Sequence, residues 1–172
     1  MAYPSTFYAA GCSDRSRMNQ QSIEITRIGM DDFDEIVTIE NASFPAPWSR
    51  DVFVRELQIP ISRNLVAKIH TEQRKEVAGF VIYWVLAGEA QIHKIAVRED
   101  LRKSGIASLM MEEMLRLARG EGALVCMLEV SQSNEGAKKL YEKFGFVVTE
   151  VRKKYYQESG EDALNMCLDL KS

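Results

Sequence analysis

Between Gln91 and Phe146 the apolar pattern switches period repeatedly, and this constrains the fold more than any other stretch of the chain. Gln91 to Val97 alternates as a strand does, then Ile106, Leu109, Met110, Met114 and Leu117 fall on one helical face with Glu112, Arg116 and Arg119 opposite. Ala123 to Val130 is a strongly apolar strand, and Ala137, Leu140, Tyr141 and Phe144 restore a helical stripe. Strands joined through a helix can lie parallel only by a crossover, which is right-handed in nearly all proteins. The order therefore excludes a helical bundle or a purely antiparallel sandwich and predicts an α/β fold.

The flanking segments extend this pattern. Ile23, Ile25 and Arg27 alternate as a strand, and Asp31-Asp32 open a helix carrying Phe33, Ile36, Val37 and Ile39-Glu40. Two prolines in Phe44-Pro45-Ala46-Pro47-Trp48 break that helix, and Ser49 can cap a short second one with Val52, Phe53 and Leu57 inward. Asn64 to His70 and Val77 to Leu86 read as strands, with a turn at Ala87-Gly88-Glu89 before the next. Asn134 can cap the last helix, Gly145 ends it, and Phe146 to Tyr155 with Ala163 to Leu170 form a closing strand pair. Residues 1–21 hold no sustained period and are expected to be a flexible extension, Met18 being an alternative initiator, ahead of a single domain over residues 22–172.

Composition narrows the function classes. The 172 residues are 46% hydrophobic and 27% charged, ordinary for one globular domain, and the net charge of −3 does not favour general nucleic-acid binding. Cys12, Cys126 and Cys167 are odd in number and far apart, which supports neither a disulfide framework nor a zinc site, and a reducing, cytoplasmic setting is expected. The apolar run Val77 to Gly88 is too short for a membrane helix, and Ala9-Ala10-Gly11-Cys12 lacks the flanks of a lipoprotein leader.

Chemistry concentrates first at Arg102-Lys103-Ser104-Gly105-Ile106-Ala107, between a strand and a helix. The leading amides of such a helix, from Gly105 to Ser108, lack intrahelical acceptors, and the positive end of the helix dipole adds to them. Gly105 admits close backbone approach, Ala107 is small, and Arg102 and Lys103 add positive charge, so the segment reads as an anion site for a pyrophosphate-bearing ligand. No nucleoside-triphosphate loop or dinucleotide fingerprint is present.

Glu129 is the second feature: strand alternation puts it with Val125 and Met127, near the end of an apolar strand, where a partly desolvated carboxylate can serve as a general base. Tyr141 lies on the apolar stripe of the following helix, a position typical of core tyrosines, and His93 is an alternative base or a structural histidine.

At these residues the chain resembles the GNAT superfamily of acetyl-CoA-dependent N-acetyltransferases. "RKSGIA" meets the superfamily pattern in its strand-to-helix position, supported by "FPAPWS" at Phe44 to Ser49, "IAV" at Ile95 to Val97, "LEV" at Leu128 to Val130, "SNEGAKKLYEKFGF" at Ser133 to Phe146 and "RKKYY" at Arg152 to Tyr156. The resemblance covers Ile23 to Leu170 and is strongest to enzymes that acetylate the N-terminal alanine of a small-subunit ribosomal protein. It implies a central mixed twisted sheet of about six to seven strands flanked by about four helices.

The resemblance further implies that the backbone of Ile95, Ala96 and Val97 pairs with the pantetheine arm of acetyl-CoA and that Lys103, Ser104, Gly105, Ile106, Ala107 and Ser108 hold its pyrophosphate. Asn134 would also contact the donor, Glu129 would be the base and Tyr141 the acid, without a metal. Trp48 and Tyr156 are candidate walls of a peptide slot, and Glu158, Glu161 and Asp162 could attract a basic peptide start. His93-Lys94 departs from the usual apolar residue and Asn before "IAV", and Gln157-Glu158 follows the tyrosine pair. The implied partner is a protein N-terminus, with no direct nucleic acid or membrane. The alternatives are an enzyme acting on a small-molecule amine and a non-catalytic acetyl-CoA-binding module.

Overall fold

The computed structural model describes residues 6–9, 22–70, 74–156 and 160–171. The strands are β1 (Thr6–Ala9), β2 (Ser22–Arg27), β3 (Ser62–His70), β4 (Lys75–Leu86), β5 (Glu89–Val97), β6 (Val125–Ser131), β7 (Val147–Tyr156) and β8 (Glu161–Asp169). The helices are α1 (Phe33–Ser43), α2 (Arg50–Glu56), α3 (Ile106–Gly120) and α4 (Glu135–Lys143). Among the described residues, eight strands form a mixed sheet in the order β1-β2-β3-β4-β5-β6-β8-β7. Its extra strand is β1, which pairs antiparallel with β2 inside the segment expected to be a flexible extension.

By internal contacts the chain forms two compact units, Met1–Ile82 with Lys94–Arg116, and Tyr83–His93 with Leu117–Ser172. In the first, α1 and α2 bury Phe33, Ile36, Ile39 and Phe53 with Val66, Val77 and Phe80. Phe53 meets Phe80 edge-on at 5.7 Å and Trp48 at 5.6 Å. Fully burying each such side chain contributes roughly 1.5–3 kcal/mol. The β-region conformation of Ser49 starts α2, whose first turn closes on the Ser49 carbonyl rather than on its hydroxyl. Glu113 of α3 is buried, and it accepts from Thr6 Oγ1 at 2.9 Å and Tyr8 OH at 3.3 Å while pairing with Arg116 at 2.7 Å.

In the second unit β5 and β6 run parallel, in register from Glu89↔Val125 to Ile92↔Leu128, as the crossover through α3 requires. β8 pairs antiparallel with both β6 and β7. Ala87 and Gly88 both take positive φ, 51° and 85°, as a two-residue hairpin turn demands. The Asn134 side chain caps α4 by accepting from Ala137 N–H at 3.1 Å. β7 is outermost, its register broken between Val148 and Glu150 and between Arg152 and Tyr156, and Lys154 has φ 54° with its N–H on Asp162 Oδ1 at 2.8 Å. No helix among the described residues is long and apolar enough to cross a membrane.

Candidate active site

The predicted donor-binding residues Ile95, Ala96, Val97 and Lys103 to Ser108 all lie in the first unit. Ile95, Ala96 and Val97 continue β5 beyond its last residue in register with β6. Their position against β4 depends on Gly79, where an added Cβ would stand 2.5 Å from the Ala96 carbonyl oxygen and 3.0 Å from Met110 Cε. A glycine inside an apolar strand is the sequence signal for such an approach.

The turn ahead of α3 is built by two left-handed residues, Lys103 at φ 64° and Gly105 at φ 91°. Ser104 Oγ donates to the Leu101 carbonyl at 2.5 Å, and Leu109 N–H closes the first helical turn on the Gly105 carbonyl at 3.1 Å. The helix begins at Ile106, which puts its N-terminal end at this loop. Among the described residues other than Gly105 and its two chain neighbours, no atom lies within 4 Å of the space a Cβ on Gly105 would take, so this side of the loop is open. Arg102 is turned back onto Val97 O at 3.4 Å and Ser43 Oγ at 3.3 Å.

Glu129, Asn134 and Tyr141 lie in the second unit. Strand alternation puts Glu129 on the same face of β6 as Val125 and Met127, as expected, but the desolvated setting expected for it is not what the fold provides. Glu129 is exposed and accepts from Arg152 Nη1 at 2.6 Å, because β8 carries β7 and its basic run alongside. Tyr155 also hydrogen-bonds Glu129, which raises the pKa of its phenol, and the Arg152 guanidinium stacks 4.4 Å from the Tyr155 ring centroid. The "RKKYY" segment held this signal, since Arg152 and Tyr155 are three apart on a strand that Lys154 kinks.

Tyr141 is 5% exposed and its ring packs on Phe146 at 5.8 Å. His93 packs on Trp84 at 4.3 Å between ring centroids. Of the acidic turn, Glu158 is outside the described residues. Glu161 accepts from the hydroxyls of Ser131 and Ser133, which lowers its pKa, and Asp162 holds the Lys154 amide. The backbone of Tyr156 pairs with Glu161, and its side chain is outside the described set. Trp48 is half-buried in the first unit, where its amide donates to Glu40 Oε1 at 2.8 Å. Cys126 is buried, which pushes its thiol up to about 12 and makes it a poor nucleophile.

The model of the acetyltransferase (GNAT) family matches residues 33–146, more than half of the chain, and the chain belongs to that family. It is an enzyme of the acyltransferase class. A Bacillus subtilis relative, provisionally named a ribosomal protein bS18-alanine N-acetyltransferase, is 34% identical over 83% of this chain and 92% of its own length. The Salmonella typhimurium protein named ribosomal protein bS18-alanine N-acetyltransferase is 31% identical over 77% of this chain and 87% of its own. Among solved structures, the ribosomal-protein-S18-alanine N-acetyltransferase from Escherichia coli superposes with a TM-score of 0.76 at 28% identity, covering 87% of this chain and 95% of that one.

Proposed function

We propose that the protein transfers the acetyl group of acetyl-CoA to the N-terminal alanine of a ribosomal protein of the bS18 type, in the cytoplasm. The observation that carries this reading is the extent of the likeness to bS18-alanine N-acetyltransferases, which runs over most of this chain and nearly all of theirs. The loop at Lys103 and Gly105 supports the donor half, since a helix start behind an open left-handed turn suits a pyrophosphate.

In the proposed step the neutral α-amine attacks the thioester carbonyl carbon, forming the C–N bond. Glu129 takes the proton the amine loses, through a water. Collapse of the tetrahedral adduct breaks the C–S bond, and Tyr141 donates its hydroxyl proton to the departing thiolate. An α-amine of pKa about 7.7–8.0 costs about 1 kcal/mol to deprotonate at neutral pH, against roughly 4.6 for a lysine near 10.4. An exposed carboxylate shared with Arg152 suits the easier substrate.

The test is thiol release from acetyl-CoA with two peptides: one carrying the free N-terminus of bS18, the other N-blocked with an internal lysine. Turnover of the free N-terminus alone is expected. Turnover of neither, with a small amine accepted instead, would reject the reading.

A further inference from the structure

Glu40 on α1 is completely buried, and its carboxylate meets Lys94 of β5 at 2.5 Å, with only 10% of the Lys94 side chain exposed. The same oxygen, Oε1, accepts the Trp48 amide, whereas Oε2 is buried with no hydrogen-bond partner among the described residues. Lys94 Nζ also lies 3.9 Å from the centroid of the Phe44 ring and 5.0 Å from that of Trp48. One ammonium group therefore contacts both aromatic ends of the proline-rich segment between α1 and α2, and one carboxylate holds that segment's backbone.

We propose that Glu40 and Lys94 are positioning residues for the acceptor: the buried pair fixes Phe44 and Trp48, and so sets how well the Phe44–Trp48 segment receives a peptide N-terminus. The proposal rests on the peptide-directed reading above, which makes Trp48 a wall of the acceptor slot. It also accounts for Lys94 at a position where the resemblance leads one to expect Asn. A desolvated ammonium over aromatic faces fixes both rings more firmly than a neutral amide does. Prolines at 45 and 47 stiffen the chain between them, so a displacement at either ring carries through the segment.

The experiment measures peptide KM, acetyl-CoA KM, kcat and thermal midpoint for the native protein and four variants. Lys94→Met leaves Glu40 buried without its counter-charge and is expected to lower the midpoint as well as raise peptide KM. Glu40→Gln with Lys94→Met removes both charges. It should recover most of the thermal loss yet keep peptide KM raised by about tenfold, with acetyl-CoA KM and kcat within about twofold of native. Lys94→Arg keeps the charge over the rings and should bring peptide KM back toward native. Phe44→Leu keeps apolar volume but removes the nearer ring, and should raise peptide KM by about threefold even if the charge variants fold poorly.

A stable double variant with native peptide KM would reduce the pair to a fold support and overturn the proposal, as would an unchanged KM in Phe44→Leu. Native enzyme that turns over no free N-terminus would reject the peptide-directed reading and this proposal together. Native turnover with unmoved variants would reject this proposal alone.

Discussion

Arg152 on β7 donates to Glu129 on β6 at 2.6 Å, joining two strands that are not neighbours in the sheet because β8 lies between them. The proposed base is therefore held from the closing strand, and Tyr155 shares it.

That sharing has a titration consequence. The Glu129 carboxylate accepts the Tyr155 hydroxyl and disfavours a second negative charge beside it, so the phenol pKa stands above its ordinary 10.0. In Glu129→Gln the carboxylate charge is gone, and Tyr155 should ionise at lower pH than in the native protein. Ultraviolet difference titration, with Tyr155→Phe to isolate one of the six tyrosines, reads the shift. Identical native and variant curves would dissociate Tyr155 from Glu129.

Tyr141→Phe keeps the ring that packs on Phe146 and removes only the hydroxyl. Thiolates leave readily, so kcat should fall by roughly 10²- to 10³-fold, the lower part of the range for general acid–base catalysis, with acetyl-CoA KM nearly unchanged. Steady-state thiol release provides the measurement. Full activity would remove Tyr141 from the mechanism.

At Gly79 the limit is space. Alanine there places a methyl group 2.5 Å from a backbone oxygen on β5, which must move. Overpacking of this kind costs about 1–3 kcal/mol, or roughly 2–4 °C in thermal midpoint per kcal/mol for a chain of this size. Because the displaced residue is Ala96, acetyl-CoA binding by calorimetry should weaken too. Native affinity in a destabilised Gly79→Ala protein would exclude Ala96 from donor binding.

Asn134 combines two assignments that can be separated. Its Oδ1 caps α4, so Asn134→Ala should cost about 1 kcal/mol, whereas Asn134→Asp preserves the cap acceptor and native stability. If the residue also contacts the donor, the added negative charge in Asn134→Asp should raise acetyl-CoA KM at unchanged thermal midpoint. A native KM in that variant would leave Asn134 a helix cap only.

Local patterns were legible in the sequence to the extent that their causes were local. The periods at Ile106 to Leu117 and Ala123 to Val130, the asparagine cap at 134 and the shared face of Val125, Met127 and Glu129 depend on residues within a turn or a strand of one another. The glycine-containing loop was readable for the same reason. What escaped was created by tertiary contact. Glu113 follows Glu112 in the sequence, and two of the groups that satisfy its buried carboxylate, Thr6 and Tyr8, come from β1, 107 and 105 residues away. Glu40 and Lys94 are separated by 54 residues, and no pattern within either element announces the pair. The exposed, ion-paired setting of Glu129 is likewise absent from its own strand's pattern, because its partner Arg152 lies 23 positions away on β7.

The irregular outer strand also bears on association. Val147, Val148 and Val151 are exposed on β7, and a flat edge carrying them would be a template for pairing with another chain. The left-handed backbone at Lys154, the broken register on either side of Val151 and the consecutive cations Arg152, Lys153 and Lys154 all oppose such an addition. Arg152, which holds the proposed base, is thus also one of the cations on this edge, so neutralising it is expected to favour self-association as well as to alter the chemistry.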